Sequence, residues 1–317
     1  MKLKLIALAA MLAAGSAQAA IDTGSVSGNG ELMLNLKWKD TNLSDATGND
    51  SVSAAFDLGI TLNDADAWNG VAGFTQSWDL NSYGTQLSTF LGSTNLVLAN
   101  AEMNVFAMDG TGTNPGDTRL LSTTSGINAT GTGLSLASGS IPANASFNNI
   151  FGNNTVVNFL VAVNNSNSHN SVPNGASNAT AASGSALFTD TMDKFGNLSA
   201  FDSTNKFYGS YASGSGILSG QAKALPFYMV VASSTDPTQK ATMTPFGYDL
   251  DGDGVIEFDN NAADAGGSNE YGLWTLQGST LTFANPVAAV PEAETYAMML
   301  AGLGLVGFMV RRRRNAI

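Results

Sequence analysis

The chain is 317 residues long, 44% hydrophobic and only 12% charged, with a formal net charge of −12 and no cysteine. It is long enough to bury a sizeable core, and too apolar for a disordered acidic polymer. The missing cysteines exclude disulfides, thiolate zinc sites and Cys-dependent catalysis, while the acidic balance repels phosphate backbones and argues against nucleic acid as a partner.

The first twenty residues read MKLKLIALAAMLAAGSAQAA. Two lysines, an apolar run over 5–14 and the small-x-small triplet Ala17-Gln18-Ala19 have the order of a secretory signal peptide over residues 1–19. The apolar run is too short for a membrane anchor, so a cleaved signal helix is expected. Lys2, Lys4, Arg311, Arg312, Arg313 and Arg314 are six of the 13 basic residues. All six lie at the ends of the chain, so the exported body over 20–289 is more acidic than the whole.

The body reads as sheet. In GELMLNLKWKD, Leu32, Leu34, Leu36 and Trp38 alternate with Asn35, Lys37 and Lys39. In SVSAAFDLGITL, Val52, Ala54, Phe56, Leu58, Ile60 and Leu62 alternate with small or polar residues. A period of two over such lengths predicts strands with one face buried. VAGFTQSWDL, NLVLAN, AEMNVFAMDG, TRLLSTTS, KFYGSY, ALPFYMVVAS and YGLWTLQGSTLTFANP are further strand candidates, divided by turn clusters such as DGTGTNPGD. Many short strands predict a mainly β fold, an antiparallel β-sandwich. One short helical segment is expected where Phe147, Ile150, Phe151, Val157, Leu160 and Val161 share a helical stripe. The following residues 164–185, poor in large apolar groups, are expected to form a long surface loop.

The most specific chemical signal in the body is DLDGDGVIEFDN. Asp249, Asp251 and Asp253 occupy alternate positions ahead of the turn-forming Gly254, so that carboxylate oxygens can wrap around Ca²⁺. This stretch resembles the calcium loops of EF-hand and dockerin domains. That likeness implies a carbonyl ligand from Val255 and a direct or water-mediated one from Glu257. The chain departs from the pattern at the twelfth position, where Asn260 stands, and its flanks do not read as paired helices. A metal-bound loop here is expected to staple two strands; the alternative is an acidic hairpin turn without metal.

The inventory for catalysis is poor, and no catalytic residue is assigned. His169 is the only histidine, and it lies in the low-complexity stretch, where a solvated side chain is expected rather than a general base. Trp68, in NDADAWNG, is the most loop-like tryptophan and the one candidate for stacking on a sugar ring. Asn42, Asn128, Asn144 and Asn178 begin Asn-x-Ser/Thr triplets, as expected by chance in so Asn-rich a chain.

The C-terminus reads VPEAETYAMMLAGLGLVGFMVRRRRNAI. Residues 297–310 predict an apolar helix about 21 Å long, short of the roughly 30 Å hydrocarbon core of a bilayer. With Tyr296 at one end and Arg311, Arg312, Arg313 and Arg314 at the other, it is expected to span marginally, its arginines on the cytoplasmic side. The glycines of GLGLVG match G-x-G-x-x-G only by accident, since no acidic residue follows. They suit close packing in a membrane helix.

Val290, Pro291, Glu292, Glu294, Thr295 and Tyr296, followed by the apolar run and the arginines, resemble the PEP-CTERM sorting domain. The resemblance covers residues 290–317, with Ala293 in place of the second proline. It implies recognition by an exosortase, a membrane-embedded peptidase of Gram-negative bacteria, after export by the Sec machinery and transient insertion in the inner membrane. Release to the cell surface or an extracellular polysaccharide matrix would follow. The leading expectation is a non-enzymatic surface or matrix protein. The alternatives are a calcium-dependent carbohydrate-binding or adhesion module and, less favoured, a secreted glycan hydrolase using two carboxylates.

Overall fold

The computed structural model describes residues 21–24, 27–38, 51–92, 102–110, 118–123, 127–130, 133–136, 144, 160, 163–164, 175–181, 209–210, 223–236, 238–250, 254, 256, 270–287, 298–306 and 311. The chain divides into two units, 1–286 and 287–317. The expected signal helix over 1–19 lies outside the described residues.

The first unit is mainly β. Its strands are β1 (Glu31–Trp38), β2 (Ser51–Thr61), β3 (Thr75–Asp79), β4 (Glu102–Asp109), β5 (Arg119–Thr123), β6 (Ile127–Thr130), β7 (Gly133–Leu136), β8 (Ala176–Ala181), β9 (Gly209–Ser210), β10 (Lys223–Val231), β11 (Thr242–Phe246), β12 (Leu273–Gln277) and β13 (Thr280–Ala284). The short helices α1 (Leu62–Asp66) and α2 (Gln86–Leu91) flank a 3-10 turn at Leu80–Tyr83. Among the described residues eleven strands form one antiparallel sheet, nine of them in the order β3-β13-β12-β10-β5-β4-β1-β2-β8, with β11 added on β10 and β9 on β4; β6 and β7 pair separately.

This is a curled sheet, nearer a half-barrel than the expected sandwich. The two halves are not separately paired because they share β10. Its residues 223–226 pair with β12, and its residues 227–231 pair with β5 and β11. The change of partners falls at Pro226, which has no N–H to give to a ladder. The β12–β13 hairpin closes through Gly278 and Ser279, with Gly278 at φ +59° as a tight two-residue turn requires.

The period-two pattern places its apolar residues as expected. Leu32, Leu34, Leu36, Ala54, Phe56, Leu58, Val105, Leu121, Phe227, Leu276, Leu281 and Phe283 share one core cluster. Its centre is aromatic. Trp78 stacks on Trp274 at 5.4 Å, Phe227 meets Trp274 edge-on at 5.5 Å, and Trp68 stacks on Phe74 at 5.0 Å.

The opposite face departs from a simple half-buried strand. Met33, Asn35, Ser53, Asp57, Asn104, Phe106, Ser122, Ser177 and Tyr228 are also buried. Alternation therefore marks an apolar face and a mixed face here, not an inside and an outside.

Three local expectations are corrected or completed. The strand SVSAAFDLGITL stops at Thr61, because Thr61 and Asp64 form a reciprocal capping box that starts α1. Residues 176–181, expected inside a surface loop, form β8 and add to β2, because small alternating residues fit a ladder whose neighbour supplies the bulk. Leu160 is helical and buried, as the helical stripe predicts, and so is Val163, which lay outside that stripe; Phe147, Ile150, Phe151, Val157 and Val161 lie outside the described residues, as does NLVLAN.

Trp274→Ala should lower the unfolding free energy of the full chain by about 3–5 kcal/mol in urea titration, the usual cost of deleting a fully buried aromatic ring.

Candidate functional site

Two segments carry chemistry, the acidic loop after β11 and the C-terminal tail. The acidic loop leaves β11 at Phe246. Gly247 bridges to Tyr271, and Asn69 Oδ1 accepts from the Gly247 N–H at 2.9 Å. A Cβ on Gly247 would lie 2.0 Å from the Glu270 carbonyl oxygen, so the close crossing needs glycine there.

Glu270 then fixes the start of the loop. Its carbonyl accepts from the Tyr248 N–H at 2.9 Å, and its Oε1 accepts from the Leu250 N–H at 2.7 Å. The carboxylate is buried, 4% exposed. One residue on, Asp249 Oδ2 accepts from the Gly254 N–H at 2.7 Å, with Gly254 exposed at φ +89°. The side chain of the first loop position thus holds the backbone N–H of the sixth.

Asp249 is the one candidate ligand that the structure places. Asp251, Asp253, Val255 and Glu257 lie outside the described residues, as does Asn260. Among the described residues no group of three or more His, Cys, Asp or Glu side chains is arranged to hold a metal ion. The donor set offered by the sequence is all oxygen, which fits a hard cation such as Ca²⁺ and not a soft one. Glu270 was not legible as part of this loop. It stands twenty residues after Leu250, and only the approach of residues 270–271 to residues 247–248 brings it there.

The other candidates are resolved by burial. Trp68 is 7% exposed and packs against Phe74, Trp78, Trp274 and Phe283, so it is core and presents no face to a sugar. Asn285 Nδ2 locks its turn by donating to the Trp68 and Val71 carbonyls at 2.7 and 3.0 Å. Asn144 is fully buried, with its amide nitrogen on Ser233 Oγ, Ser234 O, Ser234 Oγ and Asp236 O. It clamps the chain leaving β10 and is closed to glycosylation in the folded state. His169 lies outside the described residues.

The second segment is the tail. Residues 298–306 are helical, inside the expected 297–310 helix, and Arg311 is helical and exposed. The apolar side chains of this helix are bare, with Met298 75%, Leu300 65% and Leu303 63% exposed. Among the described residues no helix is long and apolar enough to cross a membrane. Val290, Pro291, Glu292, Glu294, Thr295 and Tyr296, and Arg312, Arg313 and Arg314, lie outside the described residues.

Residues 289–314 match the family model of the PEP-CTERM protein-sorting motif. The resemblance drawn from Pro291, Glu292 and the terminal arginines is therefore a true one, and it implies export, membrane-associated sorting and processing by an exosortase. Neither the curated proteins nor the solved structures contain a match to the chain.

Glu270→Ala should free the Leu250 N–H and leave it unpartnered, at a cost of about 1–3 kcal/mol. Limited proteolysis should then cut within 249–270 faster than in the native chain.

Proposed function

We propose that this chain, which carries a PEP-CTERM protein-sorting motif at its C-terminus, is a structural, non-enzymatic protein of the cell surface or extracellular matrix. The observation that carries the reading is the motif over residues 289–314, in which an exposed apolar helix precedes the arginines. An apolar run of this length makes a poor permanent anchor in a bilayer core of roughly 30 Å. Arginines at its end hold that end on the cytoplasmic side. Pro291 to Tyr296 are then presented at the outer face of the inner membrane, within reach of a membrane peptidase.

Signal peptide 1–19 supplies export through the Sec machinery, and the body follows to the surface, where extracellular polysaccharide is the expected surrounding. The non-enzymatic role is supported by chemical poverty: one histidine, no cysteine and few charged residues.

Fractionation of the native host tests the reading. With its exosortase deleted, the protein should accumulate in the inner membrane with the tail attached. Changing Arg311, Arg312, Arg313 and Arg314 to Ala should impair retention, while changing Pro291 and Glu292 should block processing and leave export intact. Surface delivery unaffected by all three changes would exclude the sorting role.

A second reading, a calcium-dependent adhesion or carbohydrate-binding module, is favoured by the bond from Gly254 N–H to Asp249 Oδ2, which ties the sixth position of the loop to its first. Asp249, Asp251 and Asp253 would supply carboxylates, Val255 a carbonyl and Glu257 a direct or water-mediated oxygen. Calcium at a hundredfold excess over Kd should stabilise the fold by about 2.7 kcal/mol. Asp251→Ala should remove that gain. Identical melting curves in calcium and in chelator would exclude the metal.

A further inference from the structure

The mixed face of the sheet ends in an acidic corner. Glu31 of β1 pairs with Thr61 of β2, but Met33 pairs with Asp57, so two steps along β1 match four along β2. Gly59, at φ +66°, takes up the slack. The slip brings the Glu31 and Asp57 carboxyls into mutual range on adjoining strands.

Across this corner runs a strap, residues 21–24. The Ile21 N–H donates to Asn164 Oδ1 at 2.8 Å, its carbonyl accepts from Asn164 Nδ2 at 3.0 Å, and its side chain is 2% exposed. The Asp22 N–H donates to Glu31 Oε2 at 2.6 Å, and the Glu31 N–H returns to the Asp22 carbonyl at 2.9 Å. The Gly24 carbonyl accepts from the Gly110 N–H at 3.1 Å. A Cβ on Gly24 would lie 1.9 Å from the Met108 carbonyl oxygen, so the strap lies directly on β4.

Asp57, opposite Met33 on β2 and so near the Glu31 carboxyl that holds the strap, is fully buried. Its Oδ1 accepts from the Gly59 N–H at 2.8 Å, and its Oδ2 has no partner. A bare carboxylate oxygen in a dry site is costly, and a proton on it removes the charge. The charged groups around it offer no relief. Glu31 is acidic, and the Asp22 carboxylate accepts from the Gly24 N–H at 2.9 Å. On the neighbouring elements Arg119 is engaged by Asp109 at 3.1 Å and Asp66 at 3.9 Å, and Tyr83 stays neutral, pushed up by burial and then by Asp57.

We propose that residues 21–24 are a strap locked by the Glu31–Asp57 carboxyl pair and released when Asp57 loses its proton. Burial first, and the Glu31 carboxylate second, push the Asp57 carboxyl up to about 7. Burial likewise raises Glu31, against the Asp22 N–H bond. The sign follows from linkage. A raised acid favours the closed form fully below its ordinary value of 3.8, and that advantage is lost as pH rises through about 7. Ionised Asp57 must then reach water, and the strap is what stands aside.

Hydrogen exchange of the full chain, read on peptides spanning 21–31 and 273–284 and corrected for intrinsic rates, tests the proposal. Between pH 5 and pH 8 the strap peptide should lose roughly tenfold or more of its protection, while the hairpin peptide holds. Asp57→Asn should flatten the strap profile. Glu31→Gln, which keeps an acceptor for the Asp22 N–H but removes the neighbouring charge that raises Asp57, should move the midpoint of the decline to lower pH. A flat native profile, an equal decline in Asp57→Asn or in the hairpin peptide, or an unmoved midpoint in Glu31→Gln would each overturn it.

Discussion

The seating of Trp68 in the aromatic face of the sheet is the contact on which the body depends. The ring touches Phe74, Trp78, Trp274 and Phe283, residues drawn from β3, β12, β13 and the turn that follows α1. No disulfide assists it, since the chain has no cysteine. Polar bonds therefore fix the turn in place: Asn285 donates to the Trp68 carbonyl, and the Gly70 N–H donates to the Gly247 carbonyl at 2.7 Å. The turn that seats Trp68 is thereby tied to the residue at the start of the acidic loop.

The sharing of β10 carries this constraint through the sheet. One end of the strand serves the aromatic hairpin, and the other serves the β5–β4–β1–β2 ladder, where Asn104 donates to Ser122 Oγ at 3.1 Å and to Thr123 Oγ1 at 3.2 Å. Buried amides and hydroxyls demand partners and so favour one register over its neighbours. The aromatic face supplies most of the apolar burial, and the mixed face supplies specificity. Asp57 is where that second face carries a charge it cannot easily hold.

Much of this was legible in the sequence because burial follows the period of the backbone. Leu32, Leu34 and Leu36, and Ala54, Phe56 and Leu58, alternate and are core. Other features depend on partners far along the chain. The small residues of β8 resemble a loop until β2 is set beside them, and Trp68 looks exposed until Asn285 pulls its turn inward. The shared β10 makes one curled sheet of what alternation alone presents as two, and Pro226 is its only local trace. Glu270 carries no signature of its own, since its role comes from the approach of residues 270–271 to the loop. The sorting tail was the most legible element, because a signal read by another protein must be local.

The body and the tail answer to different physics. The body buries its apolar residues, whereas residues 298–306 leave theirs exposed. The sorting motif implies membrane-associated processing of that segment, and none of residues 298–306 belongs to the core cluster of the body. Intact-mass measurement of the protein recovered from the cell surface or culture medium of the native host tests this division most directly. The expected mass is that of a chain lacking both its first nineteen residues and its terminal arginines. Released protein that retains every residue through Ile317 would contradict it.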